Sequence, residues 1–269
     1  MMKEQIKRML PSAILSPVRD SLDWLKRIKE LPDAYYHPWR VQSRDNLEKF
    51  HNVHQRKRCF ILGNGPSLKQ TDLSKLKNEF TFGTNRIYLA FEEMGFETSY
   101  YVSVNDLVIE QCAHEILDLK IPRFVSWRAG KRWLTPQQNL FFLYTTYTEP
   151  KFARDIRNRL WESATVTYVT LQIAYFMGFE EVILIGVDHN FETKGKANTT
   201  IVSQGDDPNH FHPGYFGKGF RWQLPDLEKS EVGYQMAKEA FEKDGRKVLD
   251  ATIGGKLSIF EKVDYNQLF

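Results

Sequence analysis

Phe60-Ile61-Leu62-Gly63-Asn64-Gly65-Pro66-Ser67-Leu68 is an apolar run that breaks into small residues and then into a polar helix opening. This order predicts a strand feeding a tight turn at the edge of a sheet. Gly63 and Gly65 accept backbone angles closed to other residues, and Asn64 and Ser67 offer side-chain hydrogen bonds, so the turn suits a phosphate-bearing ligand or a simple chain reversal. Two familiar nucleotide motifs are absent. The turn lacks the Gly-Lys-Ser/Thr of a P-loop and the third glycine of the dinucleotide fingerprint, and about twenty residues on it has Asn85-Arg86 where an acidic group would grip an NAD ribose.

Beyond this turn, short apolar runs alternate with amphipathic segments, the pattern of a parallel sheet wrapped by helices. Strands are expected near 59–62, 81–83, 100–104, 123–125, 140–144, 181–185 and 247–249, and helices over 86–94, 107–117, 165–177 and 231–243. The fold class is therefore α/β: a Rossmann-like, doubly wound, mainly parallel sheet with helices on both faces. Asn64, Asn85, Asn105, Asp188 and Thr252 each fall at or just past the carboxyl end of an expected strand, the edge where open α/β sheets bind ligands. Each of these residues also has an ordinary turn-forming role open to it.

The 269 residues, 42% hydrophobic and 14% aromatic, suffice for a full core. The formal charge of +3 conceals an asymmetry. Residues 1–58 carry 13 Lys+Arg against 7 Asp+Glu, so the excess of base belongs to the N-terminal part. Ile14, Leu15, Val18, Leu22, Leu25 and Ile28 recur there at helical spacing, and residues 1–55 are expected to form a basic amphipathic helical arm preceding the Rossmann-like domain at 56–269. The arm suits packing on the domain, a second subunit in a homo-oligomer, or adsorption to an anionic membrane face. Tyr35, Tyr36, Trp39 and Arg40 read as packing. With an acidic body, nucleic acid is not an expected partner. Two cysteines, Cys59 and Cys112, make no disulfide framework, and no apolar run is long enough to span a bilayer, so a cytoplasmic protein, at most peripheral to the membrane, is expected.

Thr165-Val166-Thr167 opens a helix ended by Gly178, with hydroxyls that cap it or contact a phosphate. The run from Asp206-Asp207-Pro208-Asn209-His210-Phe211-His212 to Tyr215-Phe216-Gly217 is too long and too aromatic for a simple connector, and 190–225 reads as a lid-like loop. His210 or His212 suits a general base. Asp188, His189, Asp206 and Asp207 are the candidate ligands should a metal bind, although His-x-His on a loop defines no ligand set.

Gly63-Asn64-Gly65-Pro66-Ser67-Leu68-Lys69, Asn85, Asn105, the segment from Thr165 to Gly186, Asp188 and the His210 loop occur in that order. In this they resemble the small bacterial sialyltransferases that use CMP-sialic acid. They also resemble the broader superfamily that includes flagellin nonulosonate transferases and archaeal 6-hydroxymethylpterin diphosphokinases. The resemblance covers roughly residues 58–262. It implies that Asn64 and Gly65, flanked by Gly63, Pro66 and Ser67, hold the donor phosphate, and that Asn85 and Asn105 contact the nucleotide. It further places Thr165 near the donor, Gly186 and Asp188 by the ribose or base, and His210, with His212 second, at the catalytic base. An aromatic pair expected after Asp188 is replaced by His189-Asn190, so leaving-group assistance falls to Tyr215 or Lys218, while the Gly254-Gly255-Lys256 turn closes the nucleotide site or is an ordinary loop. The implied activity is transfer of a nonulosonic acid from a CMP-linked donor to a glycan hydroxyl with no cofactor required. The alternatives are pyrophosphoryl transfer from ATP with magnesium, or a nucleotide-binding module without chemistry.

Overall fold

The computed structural model of the chain describes residue 28 and residues 30–193 and 195–269. Its centre is a nine-stranded parallel sheet with the spatial order β11-β10-β7-β1-β2-β3-β4-β5-β6. In chain order the strands are β1 (Arg58–Leu62), β2 (Phe80–Thr84), β3 (Tyr100–Ser103), β4 (Arg123–Ser126), β5 (Leu140–Thr146), β6 (Arg159–Trp161), β7 (Glu181–Ile185), β10 (Lys247–Asp250) and β11 (Glu261–Lys262). A separate antiparallel ribbon pairs β8 (Thr200–Val202) with β9 (Arg221–Gln223). The α-helices are α1 (Leu31–Tyr36), α2 (Pro38–Leu47), α3 (Phe91–Met94), α4 (Asp106–Gln111), α5 (Ala113–Asp118), α6 (Trp127–Trp133), α7 (Val166–Phe176) and α8 (Leu227–Lys243).

Successive strand residues point to opposite faces, and the sheet accordingly separates two apolar layers. Cys59 and Ile61 of β1 join α7 and α8 through Ile173, Phe176, Ala237 and Phe241. Phe60 and Leu62 face the other way, with Val108, Ile109, Ile116 and Trp127 of α4, α5 and α6. Burial on both sides explains why the strands read as continuous apolar runs. α7 lies almost wholly inside, from Thr167 to Phe176, and its Gln172 amide is fully used: Nε2 donates to Trp161 O at 2.8 Å and Oε1 accepts from Ala153 N at 3.0 Å.

The seven strands expected from sequence are all present, within two residues of their expected bounds. The helix expected over 86–94 is a 3-10 turn, Ile87–Ala90, followed by α3, and the one over 107–117 is broken at Cys112 into α4 and α5. The expected arm over 1–55 also divides differently. Residues 1–27 and 29 lie outside the described residues, whereas residues 31–50 belong to the folded body. Leu47 and Phe50 are core residues, Trp39 stacks on Phe142, and Arg40 is buried with Nη2 donating to Arg157 O at 2.6 Å. Ser43 Oγ accepts from Phe142 N at 3.1 Å, ahead of the point where β6 begins to pair with β5 at Tyr144. A hydroxyl from α2 thus satisfies an N–H that would otherwise be orphaned in a buried strand. No described helix is long and apolar enough to cross a membrane.

After β1 the chain builds outward through β2 to β6, then returns through α7 to place β7 on the opposite side of β1. The strand order therefore reverses between β1 and β7, and a crevice opens at their carboxyl ends.

Candidate active site

A cleft of about 690 Å³ lies along this edge, within the range of small-molecule sites. Of the residues singled out from sequence, Gly63, Asn64, Gly65, Asn85, Asn105, Thr165, Gly186, Asp188, His189, His210 and Tyr215 line it. Pro66, Ser67, Asp206, Asp207, His212, Lys218 and Gly254 are not among the lining residues.

The glycine turn is built differently from the phosphate cradle the resemblance implies. Gly63 N donates to Ile185 O at 2.8 Å and Gly65 N to Gly186 O at 2.9 Å. Ser67 donates to the Asp188 carboxylate twice, through N at 3.1 Å and Oγ at 2.7 Å. These donors stitch the β1 turn to the β7 turn and are spent on protein acceptors. Gly65 is required by the same contact, since a Cβ there would lie 1.8 Å from Asp188 Oδ2. Burial raises the Asp188 pKa, and the Ser67 bonds oppose that rise. Asn64 Nδ2 donates to Thr84 Oγ1 at 2.9 Å, while its Oδ1 is buried without a partner. Asn64 therefore keeps an unused acceptor in the turn, a group that pairs with a hydroxyl and not with a phosphate oxygen.

The other amides keep local duties beside any contact with a ligand. Asn85 holds φ +49° and accepts from Ser103 Oγ at 3.2 Å. Asn105 Oδ1 caps α4 through Leu107 N and Val108 N. Thr165 Oγ1 caps α7 by accepting from Thr167 N at 3.2 Å. The N-terminus of this eleven-residue helix, residues 164–167, lies in the cleft wall.

The loop over 190–225 is packed down on the strand ends and carries the β8–β9 ribbon. Phe211 N donates to Asn64 O at 2.9 Å, and the Arg86 guanidinium donates to the carbonyls of Gly214 and Tyr215. His210 Nδ1 lies 2.7 Å from Asp207 Oδ2. The imidazole stacks on the buried Tyr215 ring, centroids 4.1 Å apart and 8° from parallel. Asp207 is itself fixed, accepting from Asn209 N and Phe216 N. With Nδ1 donating to Asp207 Oδ2, Nε2 is the ring's acceptor, and it has no hydrogen-bond partner among the described residues. This is the geometry of an oriented general base.

Three expectations are corrected here. Asp207 orients His210 and is not a free metal ligand; His189 Nε2 is engaged by Glu231 at 2.9 Å. Among the described residues no group of three or more His, Cys, Asp or Glu is placed to hold a metal ion, so the set Asp188, His189, Asp206 and Asp207 is not assembled. His212 sits in a turn, its Nδ1 accepting from Gly214 N at 3.1 Å. The Tyr215 hydroxyl is buried against Arg86 N, at 3.4 Å, with its pKa raised by burial, so Tyr215 is a platform for His210 and not a proton donor to a leaving group.

The cleft lining also holds a cluster that no motif announced. Glu162, directly after β6, is 3% exposed, and its Oε1 has no hydrogen-bond partner among the described residues. Arg128 Nη2 lies 3.7 Å from that oxygen and 3.0 Å from Asp106 Oδ1, and the guanidinium covers the Tyr147 ring at 3.9 Å. Burial pushes Glu162 up to about 7, with Arg128 the main opposing influence. Ser163 and Ala164, which follow it, both hold positive φ, +41° and +60°. Two consecutive non-glycine residues in that region store backbone strain, as functional turns often do. The one hint in sequence was a glutamate four residues before the start of an apolar helix.

A carboxyl whose pKa is higher folded than unfolded binds more protons when folded, so the chain loses stability as pH rises from about 4.5 to about 7. Glu162→Gln removes that loss. Urea denaturation is expected to show the variant more stable than wild type at pH 8 by on the order of 2 kcal/mol, with little difference at pH 5.

No curated protein matches the chain. Among solved structures, it resembles the MAf glycosyltransferase from Magnetospirillum magneticum AMB-1 with a TM-score of 0.50 and 12% identity, over 86% of this chain and 39% of that one. The chain thus spans well under half of that protein, and the likeness is one of fold. The family model for 6-hydroxymethylpterin diphosphokinase MptE-like proteins matches residues 38–194, from α2 through every strand of the sheet up to β7 and the turn that follows it. The match takes in more than half of the sequence, and the chain belongs to the MptE-like family.

Proposed function

We propose that the protein is a glycosyltransferase that moves a nonulosonic acid from a CMP-linked donor to a glycan hydroxyl, with His210 as general base. The observation that carries this reading is the Asp207–His210 couple, Nδ1 to Oδ2 at 2.7 Å, with Nε2 left free beside a strand-end cleft. Support comes also from the fold shared with a glycosyltransferase. In this reading the ribose hydroxyls meet the acceptor groups of Asn64 and Asp188. The donor phosphate lies at the N-terminus of α7, where helical N–H groups favour an anion, near the Thr165 and Thr167 hydroxyls. His210 Nε2 takes the proton of the attacking hydroxyl. No metal is required, because CMP departs with a single phosphate.

The family description favours a second reading, pyrophosphoryl transfer from ATP to a hydroxymethylpterin with magnesium. Calorimetric titration with CMP, CDP and ATP, each with magnesium and with chelator, separates the two. Metal-independent CMP binding, weakened by Asn85→Ala or Asn105→Ala, is the expected result. Binding of ATP alone, dependent on magnesium, moves the assignment to pyrophosphoryl transfer, and no nucleotide binding overturns both.

A further inference from the structure

The reading above leaves the departing phosphate without a proton donor, since the Tyr215 hydroxyl is turned to Arg86 N. We propose that Glu162 is that donor, a general acid in the cleft lining, with Arg128 as its positioning residue; the inference rests on the glycosyl-transfer reading. Four observations converge on it. Glu162 is buried yet belongs to the cleft lining, and its Oε1 has no hydrogen-bond partner among the described residues, so the carboxyl keeps hydrogen-bonding capacity that its protein neighbours do not use. It stands three residues before the N-terminal cap of α7, the helix end proposed to hold the phosphate. The Ser163-Ala164 turn that presents it is strained. Finally, Arg128 is near enough to stabilise the carboxylate that proton transfer leaves behind, while its own Nε is buried and unpaired.

The step balances. The bond between the anomeric carbon and the phosphate oxygen breaks, its electron pair stays on that oxygen, and the oxygen takes the Glu162 proton. The acceptor oxygen bonds to the anomeric carbon, and its proton passes to His210 Nε2. Glu162, now a carboxylate beside Arg128, takes up a proton through water as His210 releases its own to water, so both groups are reset. The groups facing it are Arg128 from α6, Thr145 near the end of β5, Asp106 at the start of α4 and Tyr147 beyond β5, whose carbonyl accepts from Lys229 of α8. Their sum leaves Glu162 titrating near 7, which suits an acid acting at neutral pH.

The test uses the full chain and CMP-sialic acid, following CMP release between pH 5.5 and 9. Wild type should lose rate on the alkaline side of about pH 7 as Glu162 ionises. Glu162→Gln should lower kcat by about 100-fold or more with CMP affinity, read by calorimetry, within about threefold of wild type, and the alkaline fall should disappear. Glu162→Asp should restore part of kcat. A Glu162→Gln variant that keeps wild-type kcat and pH profile overturns the proposal and leaves the transferase reading standing. Wild type that neither binds CMP nor releases it overturns the reading, and this inference with it.

Discussion

Replacing His210 with glutamine is expected to lower sugar transfer from CMP-sialic acid by about 10²- to 10⁴-fold while CMP binds as before. The size follows from the two things the imidazole supplies. Its Nδ1 is held by Asp207, which fixes the tautomer, and its Nε2 has no partner among the described residues. Its ring is also locked against Tyr215, so no rotation is needed before reaction. Asp207→Asn tests the orientation separately. The amide places an N–H or a weaker acceptor against Nδ1, so activity should fall in kcat more than in KM, with thermal unfolding confirming an intact loop. Equal turnover by wild type and His210→Gln would remove the base assignment. His212→Gln, in a turn away from the cleft lining, should change turnover little.

Gly63→Ala is expected to cost about 3 kcal/mol in urea denaturation, the largest stability effect of any single methyl group added at the switch point. A Cβ there would lie 2.3 Å from Gly186 O and 2.7 Å from Gly186 C. Both are backbone atoms of the β7 turn, and neither can rotate away as a side chain does. Relief requires parting β1 from β7, which breaks the bonds from Gly63 N to Ile185 O and from Gly65 N to Gly186 O and displaces Asn64 and Asp188 together. The variant should therefore lose CMP affinity along with stability. Gly205→Ala, where an added Cβ meets open space, should stay within about 0.5 kcal/mol of wild type and serves as the control. A Gly63→Ala protein as stable as wild type would show that the two turns are not packed as described.

The sheet was legible because its cause is local. A strand buried on both faces must be apolar along its length, and its end must be polar or small, so runs such as Phe60–Leu62 and Val182–Ile185 announced both the strand and the edge where Asn64 and Asp188 would stand. The ends of α7 were equally plain, from a threonine cap and a terminal glycine. What failed at this level were short or conditional elements. β6 has three residues and pairs only because β5 is already there, and the 31–50 segment read as part of an arm with packing on the domain as one of its roles, while its partners in β5, met through Ser43 and Trp39, could not be read from sequence.

The partners of polar groups were decided by the tertiary structure alone. The motif marked the Gly63–Ser67 turn as a place for a phosphate-bearing ligand, yet only the juxtaposition of β1 and β7 shows Ile185, Gly186 and Asp188 already accepting from Gly63, Gly65 and Ser67. Asp207 and His210 are close in sequence, but their bond depends on the stack over Tyr215 and on the Arg86 contacts that fix the loop. Glu162, Arg128 and Asp106 come from three separate segments and share no spacing. By itself the sequence determined where strands lie and which edge carries polar side chains, because burial and turn chemistry act over a few residues. Only the fold decided which of those side chains are spent on one another and which remain for a ligand, because hydrogen bonding and desolvation depend on neighbours brought together from across the chain.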